Sequence, residues 1–275
     1  MSYGFVLTTY NDSDQAVKAY KSLVETLPNN EAYKIVVVDG GSTKDHLKVL
    51  SSEIGAVLGP YPDLSQALNV GFYQLLGYQE DNIKNFIENG PSVGSTDYLF
   101  WIHTDCRFHD YNWMNKLIWA YKYCWPCIGR LGPATRNIDQ STPDHALRGG
   151  NQCPLMFSKE VIHAILEKHG RLYDTRYRRI GGYEDWHNGR ELLDLGYGFA
   201  IFSLCDVWHQ GAGIRFLRDT REDQVYNANQ YFDKFNTWLQ PGFELDLNAM
   251  FPNIREDFEK EFGSRVWYKE PNCGC

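Results

Sequence analysis

Three polar residues follow an apolar run in the middle of the chain. Residues 98–102, Tyr-Leu-Phe-Trp-Ile, are typical of a strand buried on both faces, and His103, Thr104 and Asp105 come directly after them. In an open α/β sheet, ligands bind outside the carboxyl ends of the strands, so a carboxylate in this place faces a site. An acid there is costly to bury alone and is usually exposed, paired or bound to a metal. The alternative is that Asp105 only caps a turn.

A second acid ends another apolar run. Residues 33–38 have the pattern of a buried strand, and Asp39 closes it before Gly40, Gly41 and Ser42. A carboxylate at this position commonly accepts hydrogen bonds from the base or ribose of a nucleotide, and the glycines let the backbone come close to a ligand. The turn matches neither the G-x-G-x-x-G fingerprint nor a P-loop. Binding of NAD, or of ATP in a P-loop, is therefore disfavoured.

Two adjacent carboxylates stand at the start of a predicted helix. Glu184 and Asp185 follow Gly181 and Gly182, and the helical pattern continues to Leu195. Carboxylates near a helix N-terminus are stabilised by the helix dipole and are favoured as caps. A purely structural role is therefore one interpretation of this pair.

The elements that would position these residues alternate along the chain. Residues 4–10 and 33–38 have strand patterns, and each precedes a helical pattern, at 15–27 and 44–54. This β-α-β-α order predicts a parallel sheet with helices on its faces. Further helices are predicted at 63–72, 111–125, 159–169 and 184–195, and further strands at 98–102, before Ser158 and at 200–207. Residues 129–143 are expected to be loop or strand-edge material.

The composition is that of an ordinary globular protein whose pattern changes near its end. A chain of 275 residues, 43% hydrophobic and 23% charged, suffices for one large domain with an appendage. From residue 215, charged and aromatic residues mix and Pro241-Gly242 interrupts the pattern. We predict one domain over residues 1–214 and a partly helical C-terminal appendage over residues 215–275, packed on that domain.

Charge and targeting signals narrow the class of protein. A net charge of −8 argues against a general binder of nucleic acid or anionic membranes. The N-terminus lacks a signal-peptide pattern, and no apolar run reaches the ~18 residues of a membrane span, so a cytoplasmic location is expected. Seven cysteines, an odd number, suit a reducing compartment. The alternative for the pairs Cys124/Cys127 and Cys273/Cys275 is that they bind a structural zinc ion.

Taken in order, the motifs are similar to those of the family 2 glycosyltransferases, which have the GT-A fold. The matching segments are Thr9-Tyr10-Asn11, Val36–Ser42, Ala67–Gly71, Asp105, Gly181–Trp186 and Trp208-His209. The resemblance covers residues 4–213 in the expected order. It implies an α/β fold with a Rossmann-like, mixed and mainly parallel sheet flanked by helices, followed by the small C-terminal appendage.

The resemblance places a nucleotide-sugar donor and a divalent metal in one site. Asp105 matches the last acid of the D-x-D motif, which holds Mn2+ or Mg2+ on the donor diphosphate. His209 matches a histidine that joins these contacts in several members. Hard cations take carboxylate oxygens and keep positions open for phosphate, which suits this pair. The donor would be a UDP-, GDP- or TDP-sugar, with Tyr10 and Asp39 against its base and ribose. The residues that the resemblance implies for donor binding are Thr9, Tyr10, Asn11, Asp39, Gly41, Ser42, Asn69, His103 and Thr104.

The resemblance also implies the reaction. Asp185, with Glu184 beside it, matches the catalytic base of inverting members. An inverting displacement needs a base that removes the proton of the acceptor hydroxyl, and a cation stabilises the charge on the leaving nucleoside diphosphate. We expect a metal-dependent, inverting glycosyltransferase that moves one sugar to a hydroxyl of a glycan, a lipid-linked acceptor or a modified nucleic acid.

Three departures from the family pattern bear on this expectation. His103 stands where D-x-D has its first acid, so the metal ligands would be Asp105, His209 and water, with or without His103. Gly40 replaces a second acid that often follows Asp39. The Q-x-x-R-W signature of processive polysaccharide synthases is absent, which favours a non-processive enzyme. A non-catalytic module that binds nucleotide sugars or glycans on the same fold is the alternative.

Overall fold

The computed structural model describes residues 1–29, 31–77, 96–128, 131–135, 146–147, 154–179, 182–201, 207–209, 221–237 and 251–263. Its strands are β1 Ser2–Thr9, β2 Ala32–Asp39, β3 Val57–Leu58, β4 Tyr98–His103, β5 Cys106–Phe108, β6 Leu131–Thr135, β7 Ala146–Leu147, β8 Leu155–Ser158, β9 Gly198–Ile201 and β10 Val207–His209. Its helices are α1 Ser13–Thr26, α2 Lys44–Glu53, α3 Leu64–Leu76, α4 Trp113–Ile128, α5 Lys159–His169, α6 Glu184–Asp194, α7 Arg221–Phe235 and α8 Ile254–Phe262.

One mixed sheet organises these elements. Within the described residues its strand order is β3-β2-β1-β4-β8-β6-β9-β7. Strands β3, β2, β1 and β4 pair in parallel, β8 runs antiparallel to both of its neighbours, and β6 pairs in parallel with β9. Strand β7 is antiparallel to β9. The predicted α/β fold with a mixed, mainly parallel sheet is confirmed.

The register of the central strands brings their carboxyl ends to one edge of the sheet. Thr9, the last residue of β1, pairs with Asp39, the last residue of β2. On the other side of β1, Thr8 pairs with His103, the last residue of β4. The polar residues that follow these three strands therefore start from neighbouring positions, at the edge where ligands bind in this class of sheet.

Both faces of the sheet are buried, as the nearly continuous apolar strands predict. Phe5 faces the layer that contains α1 and α4, where its ring stacks on that of Phe100 with centroids 5.0 Å apart. Val6 faces the opposite layer, which contains α3. Gly71 allows α3 to approach β1 closely, because a Cβ atom at this position would lie 2.5 Å from Cγ1 of Val6.

Part of the segment expected to be loop or strand edge is an internal strand. Residues 131–135 form β6, which lies between β8 and β9 in the sheet. Its sequence, Leu-Gly-Pro-Ala-Thr, contains a glycine and a proline that disfavour a strand by propensity. Pairing with two neighbours outweighs this preference, since strand formation depends on tertiary context more than on residue type.

The described parts of the predicted C-terminal appendage are helical and contact the rest of the chain. The ring of Phe258 in α8 packs against that of Trp119 in α4 at 5.6 Å, and Tyr123 donates a hydrogen bond to Asp257 at 2.7 Å. The boundary at residue 214 stays a prediction. The cysteine pairs Cys124/Cys127 and Cys273/Cys275 lie outside the described side chains. Among the described helices, none is long and apolar enough to cross a membrane.

Candidate active site

The turn after β2 is built around Asp39. One carboxylate oxygen of Asp39 accepts hydrogen bonds from the backbone N–H groups of Gly41 and Ser42, both at 2.8 Å, and the other accepts one from the Ser42 hydroxyl. Asp39 is only 1% exposed. Gly41 has φ +91°, a left-handed conformation that glycine adopts without strain. Asp39 thus shapes the turn, and its predicted contact with a nucleotide stays a prediction.

The turn after β1 is bonded to the turn after β2. The backbone N–H of Asn11 donates to the Ser42 hydroxyl at 2.7 Å, and the Asn11 side-chain oxygen accepts from the backbone N–H of Thr43 at 2.8 Å. Gly40 donates its N–H to the carbonyl of Thr9 at 2.8 Å. The structure therefore joins into one wall six of the predicted donor-binding residues: Thr9, Tyr10, Asn11, Asp39, Gly41 and Ser42.

Gly40, beside this wall, and Thr9, within it, bear on how a ligand could bind. A Cβ atom on Gly40 would lie 3.1 Å from the ring of Tyr10, so the glycine lets that ring lie close over the turn. Within the described part of the chain, the buried hydroxyl of Thr9 has no hydrogen-bond partner. A buried polar group without a partner is costly, and a ligand hydrogen bond would remove that cost.

Acidic groups converge at the end of β4. Nδ1 of His103 lies 3.9 Å from Oδ1 of Asp105, whose side chain is 13% exposed. The Thr104 hydroxyl donates to the carboxylate of Asp12 at 3.1 Å. Burial raises the pKa of Asp12, the hydrogen bond from Thr104 lowers it, and the nearby charge of Asp105 raises it. The sequence did not single out Asp12, because an acid after a strand is also a common turn and cap residue.

Strand β10 places the backbone of His209 near the end of β4. In the antiparallel pair β10–β5, His209 lies opposite Cys106, the residue that follows Asp105. The His209 side chain lies outside the described atoms, so the pairing places its backbone only. The described groups here are the Asp105 carboxylate, the His103 imidazole and the nearby Asp12 carboxylate, and carboxylate oxygens are the ligands that suit Mn2+ or Mg2+. A cation would offset the repulsion between Asp12 and Asp105. Among the described residues, three potential ligand atoms come within 4.8 Å of one another in a different group, so a metal at Asp105 stays a prediction.

Asn69 has a structural role that its motif did not predict. Its side-chain NH2 donates to the carbonyl of Tyr173 at 2.8 Å, and its side-chain oxygen accepts from the N–H of Tyr173 at 2.8 Å. Asn69 is 6% exposed, so this pair of bonds fixes the segment around Tyr173 to α3. Its predicted contact with the donor stays a prediction.

Glu184 and Asp185 lie in the first turn of α6, where the helix dipole stabilises negative charge. They are 2% and 5% exposed, and one Asp185 oxygen accepts the N–H of Trp186 at 2.9 Å. The residue before them, Tyr183, has φ +77°, which is unusual for an aromatic residue. The usual cap here would be Ser, Thr, Asp or Asn in an extended conformation.

Helix α6 is connected to the end of β4 through packed side chains. Asn188 of α6 donates to the carbonyl of Leu172 at 2.7 Å. The next residue, Tyr173, packs against Trp101 with ring centroids 6.1 Å apart, and Trp101 packs against His103 at 4.4 Å. The two predicted parts of the site, the metal region and the carboxylate pair, therefore share one buried framework.

A buried ion network holds the middle of α6. Arg171 contacts both oxygens of Glu191, at 2.9 and 2.8 Å, and Asp174 at 2.7 Å. His187, fully buried, lies 2.9 Å from Glu191 and 2.7 Å from the Tyr177 hydroxyl. Burial would raise the pKa of Glu191, but hydrogen bonds from His187 and Arg171 lower it to about 2. The pKa of Asp174 is also lowered, since hydrogen bonds from Arg176 and the charge of Arg171 outweigh burial.

The same network contains a group of potential metal ligands that the sequence did not indicate. Ligand atoms of Asp174, His187 and Glu191 lie within 4.8 Å of one another. The Arg171 guanidinium already lies between the two carboxylates, and a second cation there would be repelled. We interpret this group as an ion network that anchors α6, because a half-buried arginine between two buried acids satisfies both of them.

Comparison with known proteins identifies the architecture. No family model matches the chain, and no curated protein sequence is significantly similar to it. The mannosyltransferase PcManGT from Pyrobaculum calidifontis, solved with GDP-Man and Mn2+, matches with a TM-score of 0.50 and 13% identity, over 84% of this chain and 63% of that one. TarS 1–349 from S. aureus, solved with UDP-GlcNAc, matches with a TM-score of 0.50 and 12% identity, over 95% of this chain and 73% of that one.

These likenesses establish the fold. The chain has the mixed sheet and flanking helices of the GT-A glycosyltransferases, as its motifs predict. It spans 63% of the length of the mannosyltransferase.

Proposed function

We propose that this protein is a glycosyltransferase that moves a single sugar from a nucleoside diphosphate donor to a hydroxyl acceptor. The observation that carries the proposal is the joined set of turns at the carboxyl ends of β1, β2 and β4. There, Asp39, Ser42 and Asn11 form a hydrogen-bonded wall, and Asp105 follows the neighbouring strand. The structures that share the fold were solved with GDP-Man and Mn2+ and with UDP-GlcNAc, which supports a nucleotide-sugar donor.

Asp105 and His209 are proposed to hold the divalent cation. When bound, Mn2+ or Mg2+ supplies positive charge to the diphosphate as it leaves. In this chain the role of Asp105 is to bind the cation and orient it. The role of the turns after β1 and β2 is to hold the base and ribose of the donor. Thr104, whose hydroxyl is bonded to Asp12, keeps the segment after β4 in place.

Asp185 is proposed to act as the base of an inverting, non-processive transfer, as in the family 2 glycosyltransferases. Its carboxylate takes the proton from the acceptor hydroxyl while that oxygen attacks the anomeric carbon. The bond between that carbon and the diphosphate oxygen breaks, and the nucleoside diphosphate departs with the electron pair. Glu184, beside it, is proposed to assist. Both are buried in the first turn of α6, where the helix dipole favours negative charge.

The first experiment combines donor binding with turnover. UDP-, GDP- and TDP-sugars are titrated by calorimetry with and without Mn2+, and the donor that binds is then incubated with a panel of glycan and lipid-linked acceptors. We expect one nucleotide to bind in a metal-dependent way and a product whose anomeric configuration, read by NMR, is opposite to that of the donor. Retention of configuration would overturn the inverting mechanism, and absence of binding by every donor would overturn the proposal.

A second candidate function has one observation in its favour. His103 occupies the place of the first acid of D-x-D, which weakens the expected metal site. A non-catalytic module that binds nucleotide sugars would show metal-independent donor binding. It would release no nucleoside diphosphate with any acceptor or with water, so the same experiment separates the two functions.

A further inference from the structure

We propose that Asn227, in helix α7 of the C-terminal segment, is a positioning residue for Asp185. It holds the chain that enters α6, and through that chain it fixes the carboxylate. The inference rests on the proposed function, because it assigns the C-terminal segment a part in the same transfer.

The amide of Asn227 bonds to the backbone at two points before the carboxylate pair. Its side-chain oxygen accepts the N–H of Arg178 at 2.8 Å, and its NH2 group donates to the carbonyls of Arg178 at 3.0 Å and Gly182 at 3.1 Å. Gly182 lies three residues before Asp185. Asn227 is fully buried, so no water competes for these bonds. One side chain of α7 therefore anchors both ends of the segment 178–182.

Rings of the same helix cover the first turn of α6. Tyr231, one turn after Asn227 and fully buried, packs against Tyr183 at 5.6 Å and Trp186 at 5.9 Å. Phe235, a further turn along, packs against His187 at 4.8 Å. The residues on either side of Glu184 and Asp185 thus rest on α7, and the two helices are fixed relative to each other around the carboxylates.

The backbone of Tyr183 shows why an anchor is needed. Its φ of +77° is unfavourable for an L-residue with a large side chain, and the residue before a helix normally has an extended conformation. Strain of this kind persists only where the surroundings fix the conformation. Without the hydrogen bond from Asn227 to the Gly182 carbonyl, the backbone of Tyr183 would relax towards an extended conformation. This change would displace Glu184 and Asp185. A displacement of about 1 Å of a catalytic group lowers a rate by about a hundredfold.

The test compares Asn227→Ala with a matched control in the same segment. Phe258→Leu, in α8, alters a residue that is 1% exposed and contacts α4, far along the chain from α6. Both variants are assayed at a temperature well below their own Tm. For Asn227→Ala we expect kcat to fall by about 10- to 100-fold, while KM for the donor changes less than threefold, because the donor wall belongs to β1 and β2. For Phe258→Leu we expect a lower Tm and a kcat within twofold of the parent.

A second variant and a second readout keep the test decisive. Asn227→Asp has the same shape and keeps the acceptor for the Arg178 N–H, but as a carboxylate it cannot donate to the carbonyls of Arg178 and Gly182, so we expect it to lower kcat as well. Hydrogen exchange of the amides of residues 182–187 should accelerate in both Asn227 variants and not in Phe258→Leu. A kcat equal to that of the parent, or exchange unchanged in these amides, would overturn the positioning role. If the parent chain transfers no sugar, the proposed function fails, and the exchange data still decide whether Asn227 anchors this turn.

Discussion

His209 lies directly opposite Cys106 in the antiparallel pair of β10 and β5. These two residues are more than one hundred positions apart in the sequence, and Cys106 directly follows Asp105. The register thus places the backbone of His209 near Asp105, and a cation shared by these two residues stays a proposal.

Replacement of Asp105 should weaken metal binding. Asp105→Asn keeps the size of the side chain but removes its charge, so we expect Mn2+ to bind at least about tenfold more weakly. Calorimetry with Mn2+ alone measures this without any dependence on turnover. Asp45→Asn, at an exposed acid in the first turn of α2, is the control and should bind Mn2+ like the parent. Equal affinity for Asp105→Asn and the parent would contradict the assignment of the ligand.

Replacement of Asp185 should abolish turnover and spare donor binding. General base catalysis contributes about 10²- to 10⁴-fold, so kcat of Asp185→Asn should fall by that factor. The donor wall lies on other elements, so the Kd of the donor should stay within threefold. Asp194→Asn, at the exposed last residue of the same helix, serves as the comparison. A parent-like kcat for Asp185→Asn would exclude it as the base.

Loss of the Ser42 hydroxyl should loosen the donor wall. Ser42 donates to Asp39 and accepts from the N–H of Asn11, so Ser42→Ala removes one of the three described hydrogen bonds between the two turns as well as the bond to Asp39. We expect a loss of about 1 kcal/mol of stability per lost hydrogen bond and a weaker donor Kd. Ser52→Ala in α2, which loses a bond to the carbonyl of Val49 in its own helix, should leave the donor Kd unchanged. Thermal unfolding with and without donor distinguishes the two effects.

The network of Glu191 should make stability depend on acid pH. The pKa of Glu191 is about 2 in the folded protein against 4.5 ordinarily, so its charge stabilises the fold above pH 4.5. That stabilisation, of about 3 kcal/mol at most, is lost as the pH falls from 4.5 towards 2. Urea unfolding of the parent and of Glu191→Gln at several pH values should therefore show a difference in unfolding free energy that narrows over this range. A difference that is constant from pH 7 to pH 3 would show that Glu191 is not held as a charged group.

Local order along the chain was predictable, whereas the contacts that build the site were not. The run before Asp39 predicts a strand that ends there, and β2 ends at Asp39. The helix expected at 159–169 has these bounds in the structure. These features depend on periodicity and on turn residues, which lie within one segment.

Side-chain partners from distant segments leave no such pattern. Asn69 bonds to Tyr173, 104 residues away, and Asn227 bonds to Arg178, 49 residues away. A buried asparagine in a helical pattern gives no sign of its partner, because its hydrogen bonds are decided by how whole elements pack. The ion network of Arg171 and Glu191 was missed for the same reason.

The direction of β1 has a practical consequence for measurement. Ser2 begins β1 and pairs with Ala32, at the start of β2, while Thr9 and Asp39 end the two strands. Met1, 66% exposed, therefore lies at the opposite edge of the sheet from the donor wall. A linker that tethers residue 1 to a sensor surface would leave the donor wall facing the solution. The immobilised molecules would share this orientation, so the binding of donor and metal can be measured as each flows over the surface.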